Sequence, residues 1–93
     1  KIKGSVFIDE GAKKAIESGS SLLPAGITKF FGTFARGDIV EIINTDGKKV
    51  GKGISSYNSE ELEKIKGCSR EKISIKLGHV ARSAFIHRDD MVL

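Results

Sequence analysis

The 93-residue sequence predicts a single, mostly β domain, folded as a small pseudobarrel of about five or six strands with short helices. A chain of this length encloses only one compact core. Short runs of β-forming residues are separated by turn residues such as Gly and Asp, which is typical of small barrels. Apolar residues at helical spacing follow the first β-forming run and also precede the last one. We therefore expect one helix after the first strand and one or two helices before the final strand.

The first predicted elements are a strand, a helix and an apolar loop. Residues 5–8 are β-forming, and Asp9 can cap a helix that starts directly after it. Gly19 lies where a left-handed residue would end this helix. Pro24 lacks an amide donor and restricts the residue before it, so residues 22–26 are predicted to form a shaped apolar loop.

Three further strands are predicted in the middle of the chain, over residues 27–34, 39–43 and 50–57. Asp46 and Gly47 form a pair favoured in two-residue hairpin turns, because both residues can adopt positive φ. They are expected to join the second and third of these strands. Gly51 and Gly53 indicate a bulge in the last strand or a close approach of another segment to it.

The last third of the chain predicts two short helices and a closing strand. Asn58 or Ser59 can cap the first helix, and Glu61 lies at the capping-box position. Ser69 can cap the second helix, and Gly78 would end it. The buried faces of the two helices are predicted to carry Leu62 and Ile65 in the first, and Ile73 and Leu77 in the second. Two apolar runs near the end are strand-like, and the last is expected to close the sheet: residues 85–86 and 91–93.

The charge of the chain is moderately positive and dispersed. There are 16 Lys and Arg residues against 12 Asp and Glu residues, which gives a formal net charge of +4. This balance is compatible with a polyanionic partner. No basic block occurs in the sequence, so any basic patch would have to be assembled by folding.

The sequence also indicates the cellular compartment in which the protein works. Its apolar runs are only a few residues long, far short of the ~20 needed to span a membrane, and no secretory pattern opens the chain. Cys68 is the single cysteine, which fits a reducing compartment. We therefore expect a cytoplasmic protein with no membrane partner. The opening residue is Lys1 and not Met, which predicts a fragment of a longer protein.

Neither histidine indicates a catalytic or metal site. His79 and His87 lack a neighbouring Ser or Cys motif, and Asp89 and Asp90 beside His87 do not have the spacing that aims several ligands at one ion. A turn or cap role explains these two carboxylates. The Arg-Gly-Asp sequence at residues 36–38 is read as a turn before a strand and not as an adhesion motif. We expect no catalytic residue and no metal in this chain.

Five segments carry a resemblance to a known family. They occur at residues 7–16, 21–26, 36–40, 57–62 and 86–90, where the sequence reads FIDEGAKKAI, SLLPAG, RGDIV, YNSEEL and IHRDD. In this order they resemble the PUA domain at the C-terminus of bacterial glutamate 5-kinase, over nearly the whole chain. Ser20 and His79 depart from the pattern of that branch. The resemblance implies a single PUA domain over residues 1–93.

The resemblance further implies that this domain is part of a longer protein. That protein would carry an upstream amino-acid-kinase domain in the same chain, which transfers the γ-phosphate of ATP to L-glutamate in proline synthesis. ATP and Mg would bind in that domain, and the whole protein would be a homo-oligomer. The 93 residues contain no Gly-rich phosphate loop, so no catalytic residue and no cofactor is carried over to them.

PUA domains in tRNA- and rRNA-modifying enzymes bind structured RNA, such as tRNA, in a cleft beside the first helix. The resemblance places the candidate RNA-binding residues on that helix, on the loop after it and at two flanking positions: Lys13, Lys14, Leu22, Leu23, Pro24, Ala25, Gly26, Lys29 and Arg88. Each has a second interpretation. Lysines on a short helix are usually solvated, and leucines in a loop usually fill the end of the barrel.

Two functions therefore remain open. The domain is either a regulatory or assembly module of a glutamate 5-kinase, or an RNA-binding module, including a stand-alone one in an RNA-modifying system. The resemblance and the dispersed charge favour the first. Phe30 and Phe31 pose a related question, because adjacent strand residues face opposite sides of a sheet. One of the two rings is expected to be either exposed or covered by a helix. An exposed ring could stack on a base, but contact with a helix or with the absent kinase domain is favoured.

Overall fold

The computed structural model describes residues 1–78 and 84–93, which form a five-stranded sheet, three α-helices and two short 3₁₀ turns. The 3₁₀ turns are Pro24–Gly26 and Arg88–Asp90. The remaining elements are, in chain order, β1 (Ile2–Ile8), α1 (Glu10–Glu17), β2 (Ile27–Gly32), β3 (Ile39–Ile43), β4 (Lys49–Ile54), α2 (Ser59–Ile65), α3 (Arg70–Leu77) and β5 (Met91–Val92).

The sheet has the strand order β2-β1-β3-β4-β5. β1 pairs antiparallel with β2 and parallel with β3, while β3, β4 and β5 pair antiparallel in succession. An isolated bridge between Leu22 and Ile86 adds a contact between the loop after α1 and the segment before β5. The sheet and its short helices confirm the predicted fold class, with five strands and two helices before the last one.

The core lies on one face of the sheet, since strand side chains alternate between faces. Val6 and Ile8 of β1 and Val40 and Ile42 of β3 are buried on this inner face. The helices and loops close over them with further apolar side chains: Ile16, Leu22, Phe34, Tyr57, Leu62, Ile65, Ile73, Phe85 and Ile86. The predicted buried positions of α2, Leu62 and Ile65, are confirmed. In α3 Ile73 is buried and Leu77 is half-buried against the core.

The helix caps follow the sequence. The Asp9 carboxylate accepts a hydrogen bond from the Ala12 amide at 2.7 Å and starts α1. Asn58 and Glu61 form a reciprocal capping box at the start of α2. Gly78 ends α3 in the left-handed region, at φ 72°. The predicted starts of α1 and α2 and the end of α3 are confirmed.

Three predictions about the strands are wrong in detail. Of Asp46 and Gly47, only the glycine has positive φ, because Asn44 and Lys48 pair across a longer turn in which the Gly47 amide donates to the Asn44 carbonyl. The predicted strand 50–57 ends at Ile54, beyond which the Ser55 hydroxyl hydrogen bonds to the backbone of Tyr57. Residues 85–86 form only the bridge to Leu22 and not a strand.

Candidate nucleic-acid interface

A cleft of about 340 Å³ opens between α1 and the loop that follows it. One wall is formed by the small residues Gly11, Ala12 and Ala15 of α1. The other wall is formed by the loop, including Leu23 and Ala25. Gly11 and Ala15 lie one turn apart and share a helix face. A face without bulky side chains leaves room for a flat or extended ligand to approach the helix backbone.

The loop is held in place by backbone hydrogen bonds to three separate segments. The Leu22 amide donates to the Ile86 carbonyl at 2.9 Å, and the Phe85 amide donates to the Leu22 carbonyl at 2.8 Å. The Gly67 amide, after α2, donates to the Pro24 carbonyl at 2.8 Å. The Asp9 amide donates to the Gly26 carbonyl at 3.0 Å. The cleft wall is therefore a preformed part of the fold.

Gly26 is required by the packing of this loop against α1. A Cβ atom at position 26 would lie 2.4 Å from the Ala12 Cβ, well inside van der Waals contact. The missing methyl group lets the loop backbone approach the helix, and this approach sets the floor of the cleft.

The two leucines of the loop have different roles. Leu22 is completely buried and belongs to the core, together with the buried Pro24. Leu23 is 48% exposed and lines the cleft. The packing interpretation therefore describes Leu22, while Leu23 and the exposed Ala25 are the loop side chains that a ligand in the cleft would touch.

The lysines of α1 flank the cleft and do not line it. Lys14 is exposed and follows Gly11 by three residues, which places it at the edge of the cleft face. Lys13 is half-buried, and its ammonium lies 4.0 Å from the Glu17 carboxylate one turn later. Of the two, Lys14 is the better placed to contact a bound anion.

Arg88 lies beside the cleft on the side of the terminal segment. Its amide donates to the Ser21 hydroxyl at 3.0 Å, and Ser21 lines the cleft. The exposed Arg88 lines a small depression of about 80 Å³ with Ile16 and Ser20. Lys14 and Arg88 are thus the predicted cations that the fold brings to the cleft margin.

Lys29 lies on a different surface. Its ammonium is 4.7 Å from the centre of the Phe7 ring and 5.7 Å from that of Phe31, a cation–π arrangement. It lines a second depression with Thr28 and the turn between β3 and β4. The structure does not bring Lys29 into the cleft with the other candidates.

The Asp9 carboxylate lines the cleft, although the sequence predicted only a helix-capping role for it. Asp9 contributes a negative charge to the lining, and Ser20 and Ser21 contribute hydroxyl groups. The lining of the cleft is therefore mostly apolar, its one charged residue is acidic, and the cations lie only at its margin. The signal that could have located this wall is the run of small residues at positions 11, 12 and 15, read as one helix face.

Arg36 is one of the dispersed basic residues, and it forms an ion pair with a carboxylate of α2. Its Nε donates to the Glu61 carboxylate at 2.9 Å, and its second nitrogen also contacts this carboxylate. The hydrogen bond and the charge of Glu61 raise the pKa of Arg36 above its ordinary value. The turn at residues 36–38 is thereby tied to α2, and the Asp38 carboxylate accepts the Ala35 amide at 2.8 Å, as expected for a turn.

His87 and the acidic side chains form no metal cluster in the described ranges. Within residues 1–78 and 84–93, no group of three or more His, Cys, Asp or Glu side chains is arranged to hold a metal ion. His87 Nδ1 accepts the Asp89 amide at 3.2 Å, a local turn contact. His79 lies outside the described residues. Across the same ranges, no helix has the length and apolar character needed to cross a membrane.

Comparison with known sequences identifies the family. The PUA domain family matches residues 4–77. The chain is 46% identical over all 93 residues to glutamate 5-kinase of Ruegeria sp. (strain TM1040), and 49% identical over 90 residues to that of Bartonella henselae. It spans only about a quarter of the length of these relatives, 25% and 24%.

Solved structures agree with this assignment. A PUA domain from Aeropyrum pernix K1 in complex with tartrate superposes with a TM-score of 0.65 at 28% identity, over 92% of this chain and 43% of that one. An H/ACA ribonucleoprotein bound to a substrate RNA contains a chain that superposes with a TM-score of 0.63 at 28% identity, over 94% of this chain and 25% of that one. The sequence match and the shared fold together show that this chain belongs to the PUA domain family.

Proposed function

We propose that the chain is the C-terminal accessory domain of a glutamate 5-kinase. The observation that carries this proposal is the identity of 42–49% to enzymes of that name over 97–100% of the chain. The relatives continue for about three quarters of their length outside the matched segment. On this proposal, the upstream kinase domain phosphorylates L-glutamate with ATP as a step of proline synthesis.

The accessory domain takes no part in the chemical step. ATP and Mg bind in the kinase domain, and the whole protein is a cytoplasmic homo-oligomer. The PUA domain modulates the kinase or its assembly, a role that needs a stable fold and a contact surface and no nucleophile or general base. The spread of the positive charges, several of which are paired with carboxylates, supports this role over tight polyanion binding.

The proposed activity is tested on the full-length protein. Glutamate-dependent turnover of ATP should yield an acyl phosphate, which hydroxylamine traps as a stable hydroxamate. A matched variant that ends before Lys1 should still form hydroxamate, with changed substrate dependence or changed oligomeric mass. A full-length protein that forms no hydroxamate from glutamate would contradict the proposal.

RNA binding is a second candidate function, favoured by the cleft beside α1 and by the fold shared with a chain of an RNA-bound ribonucleoprotein. Phosphate contacts would come from Lys14 and Arg88 at the margin, and Leu23 would contact a base or sugar. The Asp9 carboxylate inside the cleft opposes a phosphate there, so we expect only weak affinity.

Fluorescence anisotropy of labelled tRNA at two salt concentrations tests this candidate. Alanine at Lys14 and Arg88 together should weaken binding, and should lower the slope of log affinity against log salt by about two, one for each cation removed from a phosphate. Alanine at Lys48 and Lys64, two exposed lysines away from the cleft, removes the same charge and serves as the control. Equal effects of the two pairs, or no binding near physiological salt, would rule out RNA recognition in the cleft.

A further inference from the structure

The face of the sheet opposite the core carries a set of apolar side chains in register across the strands. We call it the outer face and define it by Ile2, Phe7, Phe31, Ile39, Ile43 and Ile54. The strand register aligns Ile2 of β1 with Ile39 of β3, and Ile39 with Ile54 of β4. Phe7 of β1 lies opposite Ile43 of β3, and the Phe7 and Phe31 rings meet edge to face at 5.6 Å.

These side chains are only partly covered. Phe31 is 60% exposed, Ile54 41% and Ile2 40%, while Phe7, Ile39 and Ile43 are half-buried. Val92 at the end of β5, opposite Lys52 of β4, extends the apolar edge and is 65% exposed. The strand register places Ser5, Glu41 and Lys52 between the isoleucine row and the Phe7–Ile43 pair, so the face has two apolar patches with a polar row between them. Exposed apolar patches rimmed by polar residues mark an interaction surface.

The contact of Lys29 with the Phe7 ring argues against base stacking on this face. The Lys29 ammonium already lies over the Phe7 ring, where a stacked base would have to sit. Glu41 lies near the centre of the face and pairs with Lys49 at 3.2 Å. Glu41 also lies opposite Lys52 in the strand register, so its charge is compensated by lysines of β4.

The position at which the polypeptide enters the domain favours another domain of the same chain as the occupant of the outer face. The matched relatives are about four times as long as this segment, and on the proposed function the kinase domain precedes Lys1. Ile2, which opens β1, is itself part of the outer face. The preceding polypeptide therefore reaches the domain at the edge of its uncovered apolar surface.

We propose that the outer face is the docking surface for the kinase domain of the same polypeptide. The proposal rests on the proposed function and extends it by assigning the contact to one face of the sheet, away from the cleft beside α1. The isoleucine row Ile2, Ile39 and Ile54 forms one apolar patch of this surface, and Phe7, Phe31 and Ile43 form the other. Burial of these side chains against the kinase domain provides the apolar contact that the isolated domain lacks.

Cysteine labelling of the full-length protein tests the docking surface. Single substitutions Phe31→Cys and Ile54→Cys place a thiol at two separate corners of the face, and Ile75→Cys places one on α3, where Ile75 is 79% exposed. The rate of maleimide modification is read peptide by peptide, so that the buried native Cys68 is followed separately. We expect positions 31 and 54 to react about tenfold more slowly than position 75 in the native protein, and all three to react alike in denaturant.

Each other outcome overturns the assignment. Equal native rates at the three positions would show that the outer face is open. Protection that disappears on dilution would show a second copy as the occupant, and protection that disappears after nuclease treatment would show a nucleic acid. The hydroxamate assay on the same variants separates the two proposals, because equal labelling with intact activity removes only the docking surface. A protein without that activity removes the proposed function, whatever the labelling shows.

Discussion

Gly26 of the loop lies so close to Ala12 of α1 that there is no room for a side chain at position 26. The space that a Cβ atom would need at position 26 is filled by the Ala12 methyl group, 2.4 Å away. Gly11, on the same cleft, differs because a Cβ atom there would have its nearest neighbour at 3.5 Å, the Asp9 carboxylate. Two glycines that look alike in the sequence therefore have unlike environments.

Gly26→Ala is expected to destabilise the domain by about 1–3 kcal/mol, because the loop must move away from α1. Gly11→Ala is the matched control, and it should be neutral or stabilising by up to about 1 kcal/mol since alanine favours the helix. Urea denaturation of both variants measures the difference. Similar midpoints for the two proteins would contradict the close approach of the loop to the helix.

The candidate lysines also differ from one another at the residue scale. Lys13 and Lys14 are adjacent in the sequence, but one is half-buried beside Glu17 and the other is exposed at the edge of the cleft. Lys29 was grouped with them by resemblance and lies over the aromatic rings of the outer face. Residue type alone did not separate these roles, because each depends on which neighbours the fold supplies.

The helices differ in how their first turns are satisfied. At α2, the Asn58 side chain accepts the Glu61 amide at 2.8 Å and the Glu61 side chain accepts the Asn58 amide at 2.9 Å. At α3, Ser69 occupies the same position, but within the described part of the chain its side chain makes no capping hydrogen bond. The same cap signal in the sequence thus corresponds to two different local structures.

Asn58→Ala is expected to cost about 1 kcal/mol, because it leaves the Glu61 amide in the first turn of α2 without its side-chain acceptor. Ser69→Ala should cost less than about 0.5 kcal/mol, since the serine side chain provides no capping bond there. The measurement is the denaturation midpoint of each variant, with amide exchange of the first turn of α2 as the local readout. A larger destabilisation by Ser69→Ala than by Asn58→Ala would contradict the assignment of Asn58 as the stronger cap.

The glycines of β4 are explained by the segments that cross them. A Cβ atom at Gly51 would lie 2.4 Å from the Val92 carbonyl oxygen, and one at Gly53 would lie 2.5 Å from the Ile86 side chain. The close approach of β5 and the preceding segment therefore requires glycine at both positions. Both alternatives that the sequence allowed are present: the structure shows a close approach at both glycines and a register irregularity beside Gly51, where Ile42 pairs with Gly51 and Ile43 with Lys49.

Leu22 connects the N-terminal part of the fold to its C-terminal segment. It is completely buried, and its bridge to Ile86 ties the loop after α1 to the segment before β5. The Cα radius of gyration is 11.7 Å, close to the value of about 12 Å expected for a compact domain of this length.

Leu22→Ala is expected to destabilise the domain by about 2–5 kcal/mol, because it leaves a cavity in the core. Leu23→Ala changes the adjacent, half-exposed side chain and should cost less than about 1 kcal/mol. Urea denaturation compares the two. Any effect of Leu23→Ala on tRNA binding can then be assigned to the cleft, because its fold is preserved. Equal destabilisation by both substitutions would contradict the separate roles of the two leucines.

Much of the fold could be predicted because its signals are local. Asp9, Asn58 and Gly78 mark helix ends through hydrogen bonds or φ angles within a few residues, and these boundaries were correct. The turn at Asp46 and Gly47 was located correctly, but its length was not, because Asn44 adds side-chain hydrogen bonds to the Asp46 and Lys48 amides. Such competition between turn types is decided by the geometry of the flanking strands.

The sequence by itself determined the mostly β class, the order of the elements and the family resemblance, since these depend on residue type and short-range spacing. Only the tertiary structure decided that β1 pairs parallel with β3, that Asp9 and small α1 residues line the cleft, and that Lys29 lies on the outer face. Each of these features joins residues that are far apart in the chain or on separate surfaces. Spacing along a sequence carries no information on such contacts until the strands are in register.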